Sequence, residues 1–495
     1  MLLLLWACTG APDPGTVDRT PGGGGDGPGP ADDSGADDSG ATGECGVYGF
    51  EEAVAWALPP MPGSGPWRRS SDLLCGDPSE YLYMLEDMNG DAVLDFVAVR
   101  DCADADGTGD DHWTVFYGTG AGWEAEAQTW ALPEPQQPYG WAKRRSDDCE
   151  NSSRTRYRLL DVTGDGWTDL VVFDDCQETT QIGQGIWRVH AGGAGGFDVA
   201  GATWTATPNT AMGRFARAES TECREDATPR FILFEVDGDG FPDLLLTGDC
   251  GAHPGLGTDY WQVVPGTGSG FDFAGTRTLV LPSLGAEMPI AQGYVCSSGS
   301  DPVYRFRDID GDGARELIVS GWCDGRAEPG TTRWDIYPQE ASGFGALVEL
   351  QMPDVGLERA WVRNPETRCG GSFPGAQSLW DVDEDGDLDF VLRELCDGTP
   401  VEGLGQDHYR VWLRGADGAL SGEKRFALSP DPEGTLWVQM QDDHCGHVGD
   451  QIMGINLLDA GRMPETVMTY ACEADGPVGW TEWRVGVGGC IDDAR

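Results

Sequence analysis

The sequence predicts an all-β protein, a six-bladed β-propeller made of four-stranded antiparallel blades. Three observations lead there. Twelve of the fifteen cysteines fall into six pairs, each spaced by 27 positions: Cys75/Cys102, Cys149/Cys176, Cys223/Cys250, Cys296/Cys323, Cys369/Cys396 and Cys445/Cys472. First members recur every 73 to 76 residues, so the chain is six copies of one unit. Within each copy, short β-rich runs alternate with Gly- and Asp-rich turns, the pattern of a four-stranded sheet. The last copy stops at WRVGVGGC without a fourth strand, and the missing piece matches CGVYGFEEAVAWALP near the N-terminus. A strand from the N-terminal segment is therefore expected to complete the last blade and close the ring, which an open solenoid would not need.

Copy two shows the order of elements. GWAKRRSDDC precedes a first apolar run, YRLLDV; an acidic loop leads to a second run, DLVVF; then come WRVHAGG, a Gly-rich turn, and GFDVAGATWTATP. An aromatic at fixed phase marks the third strand. Trp113, Trp187, Trp261, Trp334 and Trp483 each stand 11 residues after the second cysteine, and Tyr409 takes the role in copy five. These are expected in the core.

Composition narrows the function. With 84 acidic and 32 basic residues the formal charge is −52, which disfavours nucleic acid and anionic membrane surfaces as partners. It suits cation binding. Regular cysteine pairs point to an oxidising compartment. Zinc is disfavoured, because no C-x-x-C occurs and there are six histidines. Those histidines, His112, His190, His253, His408, His444 and His447, hold no common phase. Cys445 within DDHCGH at 442–447 already belongs to the cysteine series.

The acidic loops carry the strongest chemistry. Twelve residues after the first cysteine, five copies hold D/E-x-[DNT]-x-D-x-x-x-[DE]. Loop I is Asp87, Asn89, Asp91, Asp95; loop II is Asp161, Thr163, Asp165, Asp169; loop III is Glu235, Asp237, Asp239, Asp243. Loop IV is Asp308, Asp310, Asp312, Glu316, and loop V is Asp381, Asp383, Asp385, Asp389. Oxygens at positions 1, 3 and 5 can wrap a hard cation, glycine at position 6 permits a sharp turn, position 9 closes the shell, and position 7 offers a backbone carbonyl. About five calcium ions per chain are expected. An EF-hand is ruled out, because position 12 is Ala98, Val172, Leu246, Val319 or Leu392, where that motif needs a glutamate. Magnesium fits less well, since it demands stricter octahedral geometry. Copy six is the internal control: LLDAGRMPE places Leu457 at position 1 and Gly461 at position 5, leaving Asp459 and Glu465, so no ion is expected there.

The loops, the following apolar run and the GF-containing strand together resemble VCBS and FG-GAP repeats, the family of the integrin α-subunit propeller. The resemblance covers residues 45–490 and implies a calcium-bearing propeller, with adhesion or ligand recognition as a prior role. The chain departs from the family in its cysteine pairs and in lacking a Gly-Ala-Pro signature.

Three segments are expected. Residues 1–8 contain LLLLWAC, which resembles the lipobox of bacterial lipoproteins, with Cys8 as the lipidated cysteine. Residues 9–44 are a Gly/Pro/Asp-rich tether that cannot bury a core. Residues 45–495 are the propeller. Bridges within each copy are the favoured disulfide pattern, although between-blade bridges such as Cys102–Cys149 keep the same phase. Cys45 and Cys490 are expected to bridge where the ring closes. An aromatic–basic element eight residues before the first cysteine gives a candidate ligand face: Trp67, Arg69, Trp141, Lys143, Phe215, Arg217, Trp361 and Arg363. Packing between blades, with each cation pairing to a neighbouring acidic loop, is the favoured role of this element, and ligand binding is the alternative. The expectation is a monomeric, non-enzymatic binding or adhesion head for a protein or glycan. It is placed at the bacterial cell envelope, as a surface-exposed outer-membrane lipoprotein or in secreted or periplasmic form, touching the membrane only through its lipid. A propeller-based surface enzyme (a lyase or hydrolase) and an envelope assembly scaffold are the alternatives.

Overall fold

The structure, a computed structural model, describes residues 47–51, 53–60, 67–69, 81–103, 106–133, 141, 156–174, 181–207, 230–248, 253–286, 288, 292–293, 302–358, 360–362, 375–395, 401, 403–405, 407–428, 451–456, 465–471, 482–486 and 488–491. The anchor, the tether and most cysteines lie outside the described residues. No α-helix occurs among those described. The molecule is a β-propeller of antiparallel sheets.

Five blades each hold four antiparallel strands in chain order; in the fourth, the short strands Gln339–Glu340 and Gly343–Phe344 precede the outer strand and join the third sheet instead. In the first, Tyr81–Glu86, Asp95–Asp101, His112–Phe116 and Gln128–Ala131 pair in chain order. The second starts at Arg156–Leu160, the third at Arg230–Phe234, the fourth at Pro302–Arg307 and the fifth at Gly375–Trp380. A sixth sheet is composite. Gln451–Asn456, Glu465–Ala471 and Glu482–Gly486 come from the C-terminal end, and Val54–Ala57 from the N-terminal end pairs antiparallel with Glu482–Gly486.

Sequence pattern explains the order of strands. Second strands such as Asp169–Asp174 and Asp243–Gly248 are buried at every position, matching their unbroken apolar runs. Third strands alternate, and the phase-locked aromatics Trp113, Trp187, Trp261, Trp334, Tyr409 and Trp483 are all at most 1% exposed. Fourth strands bury one residue and expose its neighbours, as outer strands should: Trp56, Trp130, Trp204, Leu279, Leu350 and Phe426 face inward.

The core lies between sheets rather than within them. One apolar cluster joins the first and second sheets around Trp113, and others join second to third, third to fourth and fourth to fifth. A further cluster packs Trp56 and Trp483 of the composite sheet against Tyr83 and Phe96 of the first. On the fifth sheet, Val47–Phe50 runs parallel to the outer strand Lys424–Ala427 and antiparallel to Gly488–Ile491, with Tyr48 and Phe50 buried against Tyr409 and Phe426. Cys490 stands opposite Tyr48 in that register, and Cys45 lies outside the described residues.

At its three described tryptophans the aromatic–basic element packs blades together, and the candidate ligand role is corrected for those three residues. Trp67, Trp141 and Trp361 are 4%, 3% and 0% exposed and sit in the cores between sheets. Each indole Nε1 donates to the carbonyl of a proline eight residues earlier, just past the preceding outer strand: Pro59, Pro133 and Pro353. A large apolar ring is more stable in that gap than in water, and its one polar atom is satisfied there. These tryptophans pack blades together and present no surface to a ligand. Met288, at the same phase in copy four, is likewise fully buried. The side chains of Arg69, Lys143, Phe215, Arg217 and Arg363 lie outside the described residues.

Removing residues 1–58 should leave the Glu482–Gly486 edge unpaired and remove Trp56 from its core, so that this chain melts lower and aggregates while one beginning at residue 45 does not. Thermal melting with size exclusion checks this, and equal melting of the two would contradict it. Trp56→Ala alone should cost about 3–5 kcal/mol.

Candidate metal-binding loops

Each acidic loop joins the first and second strands of its sheet, and its position 12 falls inside the buried second strand: Ala98, Val172, Leu246, Val319 and Leu392. That placement confirms that these are not EF-hands.

The five loops share one backbone. Positions 4 and 6 are left-handed throughout, at Gly90 and Ala92, Gly164 and Gly166, Gly238 and Gly240, Gly311 and Gly313, and Glu384 and Gly386. The expectation of glycine at position 6 thus fails in loop I, where Ala92 adopts φ 69° despite its Cβ. Position 4 is the turn the sequence reading passed over, although glycine marks it in four loops.

The position-1 carboxylate folds over this turn. Asp87 accepts from Gly90 N at 2.7 Å and Ala92 N at 2.9 Å. Asp161 and Glu235 repeat the arrangement with Gly164 and Gly166, and with Gly238 and Gly240. Asp381 accepts from Asp385 N and Gly386 N, both at 3.1 Å, and Asp308 from Gly313 N at 2.9 Å. Position 5 caps the next bend. Asp91, Asp165, Asp239, Asp312 and Asp385 each accept the N–H two residues on, at 2.7–2.9 Å.

Position 9 carries backbone contacts that the sequence pattern does not show. Asp95, Asp169, Asp243 and Asp389 are fully buried, and one oxygen of each accepts the N–H of position 2. The other oxygen accepts an N–H just past the third strand, from Gly118, Gly192, Gly266 or Arg414. These carboxylates tie the loop to the next hairpin. Loop IV is the exception: the longer Glu316 holds Ile309 N and also joins the acidic cluster. The glycines at 118, 192 and 266 were the available sequence signal for this tie.

In three loops the carboxylates converge. Oxygens of Glu235, Asp237 and Asp239, of Asp308, Asp310 and Glu316, and of Asp381, Asp383 and Asp385 lie within 4.8 Å of one another. In loops I and II position 3 is Asn89 and Thr163, which offer neutral oxygens. Asn89 exchanges hydrogen bonds with Asp91, and the Thr163 hydroxyl donates to Asp161. Oδ1 of Asp383 is buried without a hydrogen-bond donor, the condition that a bound cation relieves. Oxygen-only donors at flexible spacing fit calcium. Residues 457–464 of the copy-six loop lie outside the described residues, and Glu465 opens its second strand.

Electrostatics agree with crowding. Burial pushes the carboxyl of Asp95, Glu316 and Asp389 up to about 8 and that of Asp243 up to about 7, against the pull of the backbone N–H groups. Asp169 moves the same way. Asp383 is raised by burial and then by the charge of Asp385.

Cys102 and Cys323, just beyond the second strands of the first and fourth sheets, carry disulfides. Cys75, Cys149, Cys176, Cys223, Cys250, Cys296, Cys369, Cys396, Cys445 and Cys472 lie outside the described residues, as does Cys8.

No protein-family model and no curated protein sequence matches the chain. Among solved structures it is similar to an Agrocybe aegerita lectin that recognises non-reducing terminal N-acetylglucosamine, with 13% identity and a TM-score of 0.41 over 87% of this chain and 89% of that one. It is also similar to a TcdB2-TccC3-Cdc42 structure, with 14% identity and a TM-score of 0.34 over 89% of this chain and 15% of that one. Trypanosoma rangeli sialidase in complex with the inhibitor DANA gives 10% identity and a TM-score of 0.29 over 88% of this chain and 59% of that one. These likenesses are distant and carry nothing about ligand or activity.

Two outcomes follow from the loop geometry. Ala92→Gly and Glu384→Gly should each stabilise the protein by about 1 kcal/mol, because a Cβ at positive φ costs about 1–2 kcal/mol. Denaturant melts measure this, and a loss of stability in either variant counts against the shared turn. The second outcome concerns pH. Carboxyls whose folded pKa is raised bind protons more tightly in the native state, so the stability they contribute is present at acid pH and is lost as pH rises through about 8. The cation-free protein should therefore melt higher at pH 5 than at pH 8, and a rise instead would contradict the assigned burial.

Proposed function

We propose that the protein is a calcium-stabilised binding or adhesion head, a six-bladed ring closed by Val54–Ala57 as the fourth strand of the last blade. The observation that carries the metal is the donor set of loop V. Asp381, Asp383 and Asp385 converge, and one buried oxygen of Asp383 meets no donor. Loops I to IV repeat the same backbone, so each would hold one ion through positions 1, 3 and 5, with Glu316 joining in loop IV. A bound cation supplies charge neutralisation and order at the mouth of each sheet. The chain's own residues set the turn and keep the second strand in register. The pairing of Trp56 with Trp483 and the packing of the composite sheet on the first support the closed ring.

The VCBS/FG-GAP resemblance, the Cys8 lipobox and the Gly/Pro-rich tether support a head held away from a bacterial envelope. Disulfides within each copy would brace the end opposite the loops, with Cys45–Cys490 at the closure. The ligand class in this reading is a glycan or a protein.

A glycan and protein array probed with and without calcium tests the role. Calcium-dependent retention of a glycan or protein supports a binding head, whereas turnover of an arrayed compound would make the protein an enzyme. For the metal, Asp385→Ala should lose one bound ion of about five and should reduce the rise in melting temperature that calcium gives over chelator. An unchanged ion count would overturn the assignment.

A further inference from the structure

Loops I and II, II and III, and IV and V touch, and they do so in two different ways. Between loops I and II the contact is a pair of hydrogen bonds. Thr168, at position 8 of loop II, donates its N–H to the Met88 carbonyl at 3.2 Å and its hydroxyl to the Asp87 carbonyl at 2.5 Å. A Cβ on Gly90 would stand 1.6 Å from the Gly166 carbonyl oxygen, so the two turns meet backbone to backbone. Loops IV and V repeat this: Leu388, position 8 of loop V, donates its N–H to the Ile309 carbonyl at 3.0 Å, and a Cβ on Gly311 would reach 2.5 Å from the Gly386 carbonyl. Between loops II and III position 8 is Pro242, which has no N–H. The contact there is the Phe241 ring lying against Gly164.

The donating N–H shares a peptide unit with the position-7 carbonyl. The Thr168 N–H and the Trp167 C=O belong to one planar group, as do the Leu388 N–H and the Asp387 C=O, so orienting one orients the other. The acceptor also belongs to a ligand-bearing peptide: the Met88 carbonyl precedes Asn89, and the Ile309 carbonyl precedes Asp310, both at position 3. A cation drawing on the position-7 carbonyl of loop II would therefore fix the N–H that holds position 3 of loop I.

We propose that calcium binding is coupled in pairs, loop I with loop II and loop IV with loop V, through the position-7/8 peptide, and that Pro242 insulates loop II from loop III. The proposal rests on the calcium reading. It needs no conformational change larger than ordering one turn, and by linkage each loop of a pair assists the other equally.

Hydrogen exchange of each loop's amides, followed across a calcium titration of the full chain, gives one midpoint per loop. Asp165→Asn, which removes a ligand charge from loop II, should raise the loop I midpoint at least about fivefold. Asp239→Asn in loop III should leave the loop II midpoint unchanged. Thr168→Pro copies the residue that loop III already carries, so it should fold. It should leave both ions bound while abolishing the effect of Asp165→Asn on loop I. Pro242→Thr should create coupling between loops II and III. Loops I and II that titrate independently in the Asp165→Asn protein overturn the coupling alone. Protection that ignores calcium in every loop overturns the metal reading together with it.

Discussion

A buried carboxylate gripped by backbone N–H groups from two directions, present in four of the repeats, is the constraint on which the loop-bearing end of the molecule depends. Asp95, Asp169, Asp243 and Asp389 sit at the first residue of the second strand with no exposed surface. A carboxylate there is costly unless its oxygens are paired. Each takes one N–H from the start of its own loop and one from beyond the third strand. Strand order and loop shape are thereby locked together. The acids at positions 1, 3 and 5 are left to face one another across a turn that only positive φ can make.

The rest of the fold serves to bring such loops side by side. Apolar surface is buried chiefly between sheets, and each gap is filled by an indole or phenol from the third strand. A second tryptophan, eight residues before the first cysteine, is pinned to the carbonyl past the preceding outer strand. Trp261 and Trp334 extend this stitch, since their indoles donate to the carbonyls of Met288 and Trp361 at that same phase. Adjacent sheets are thus tied by hydrogen bonds inside an otherwise apolar seam. This spacing brings the Thr168 and Leu388 amides within reach of the neighbouring loops.

The repeat, the strand order, the core aromatics and the pairing of Val54–Ala57 with Glu482–Gly486 were legible in the sequence because they rest on phase, and six copies let phase be read without other sequences. The exclusion of the EF-hand was legible for the same reason. Three features were not. The backbone hydrogen bonds of position 9 were not foreseen, because composition cannot say which way a carboxylate turns: toward a cation, or into the backbone. The tryptophans at 67, 141 and 361 were left between two roles, packing and a ligand face, because basic residues follow them, and the burial that decides is a tertiary property. Ala92 and Glu384 break the glycine pattern, and only the backbone shows that they adopt the left-handed turn regardless. All three depend on orientation, which periodicity leaves open.

An acidic chain and a stitched scaffold hold a row of turns that gather negative charge. Without a counter-ion, clustered carboxylates oppose folding, and Asp383 keeps a buried oxygen unanswered. In the proposed calcium-bound form, the same residues fasten loops I to V. Anomalous diffraction from crystals grown in calcium tests this most directly. The account predicts calcium peaks among the side chains of positions 1, 3 and 5 in loops I to V, and none at the copy-six loop around Asp459. Peaks absent from these loops, or a peak at copy six equal to the others, would contradict it.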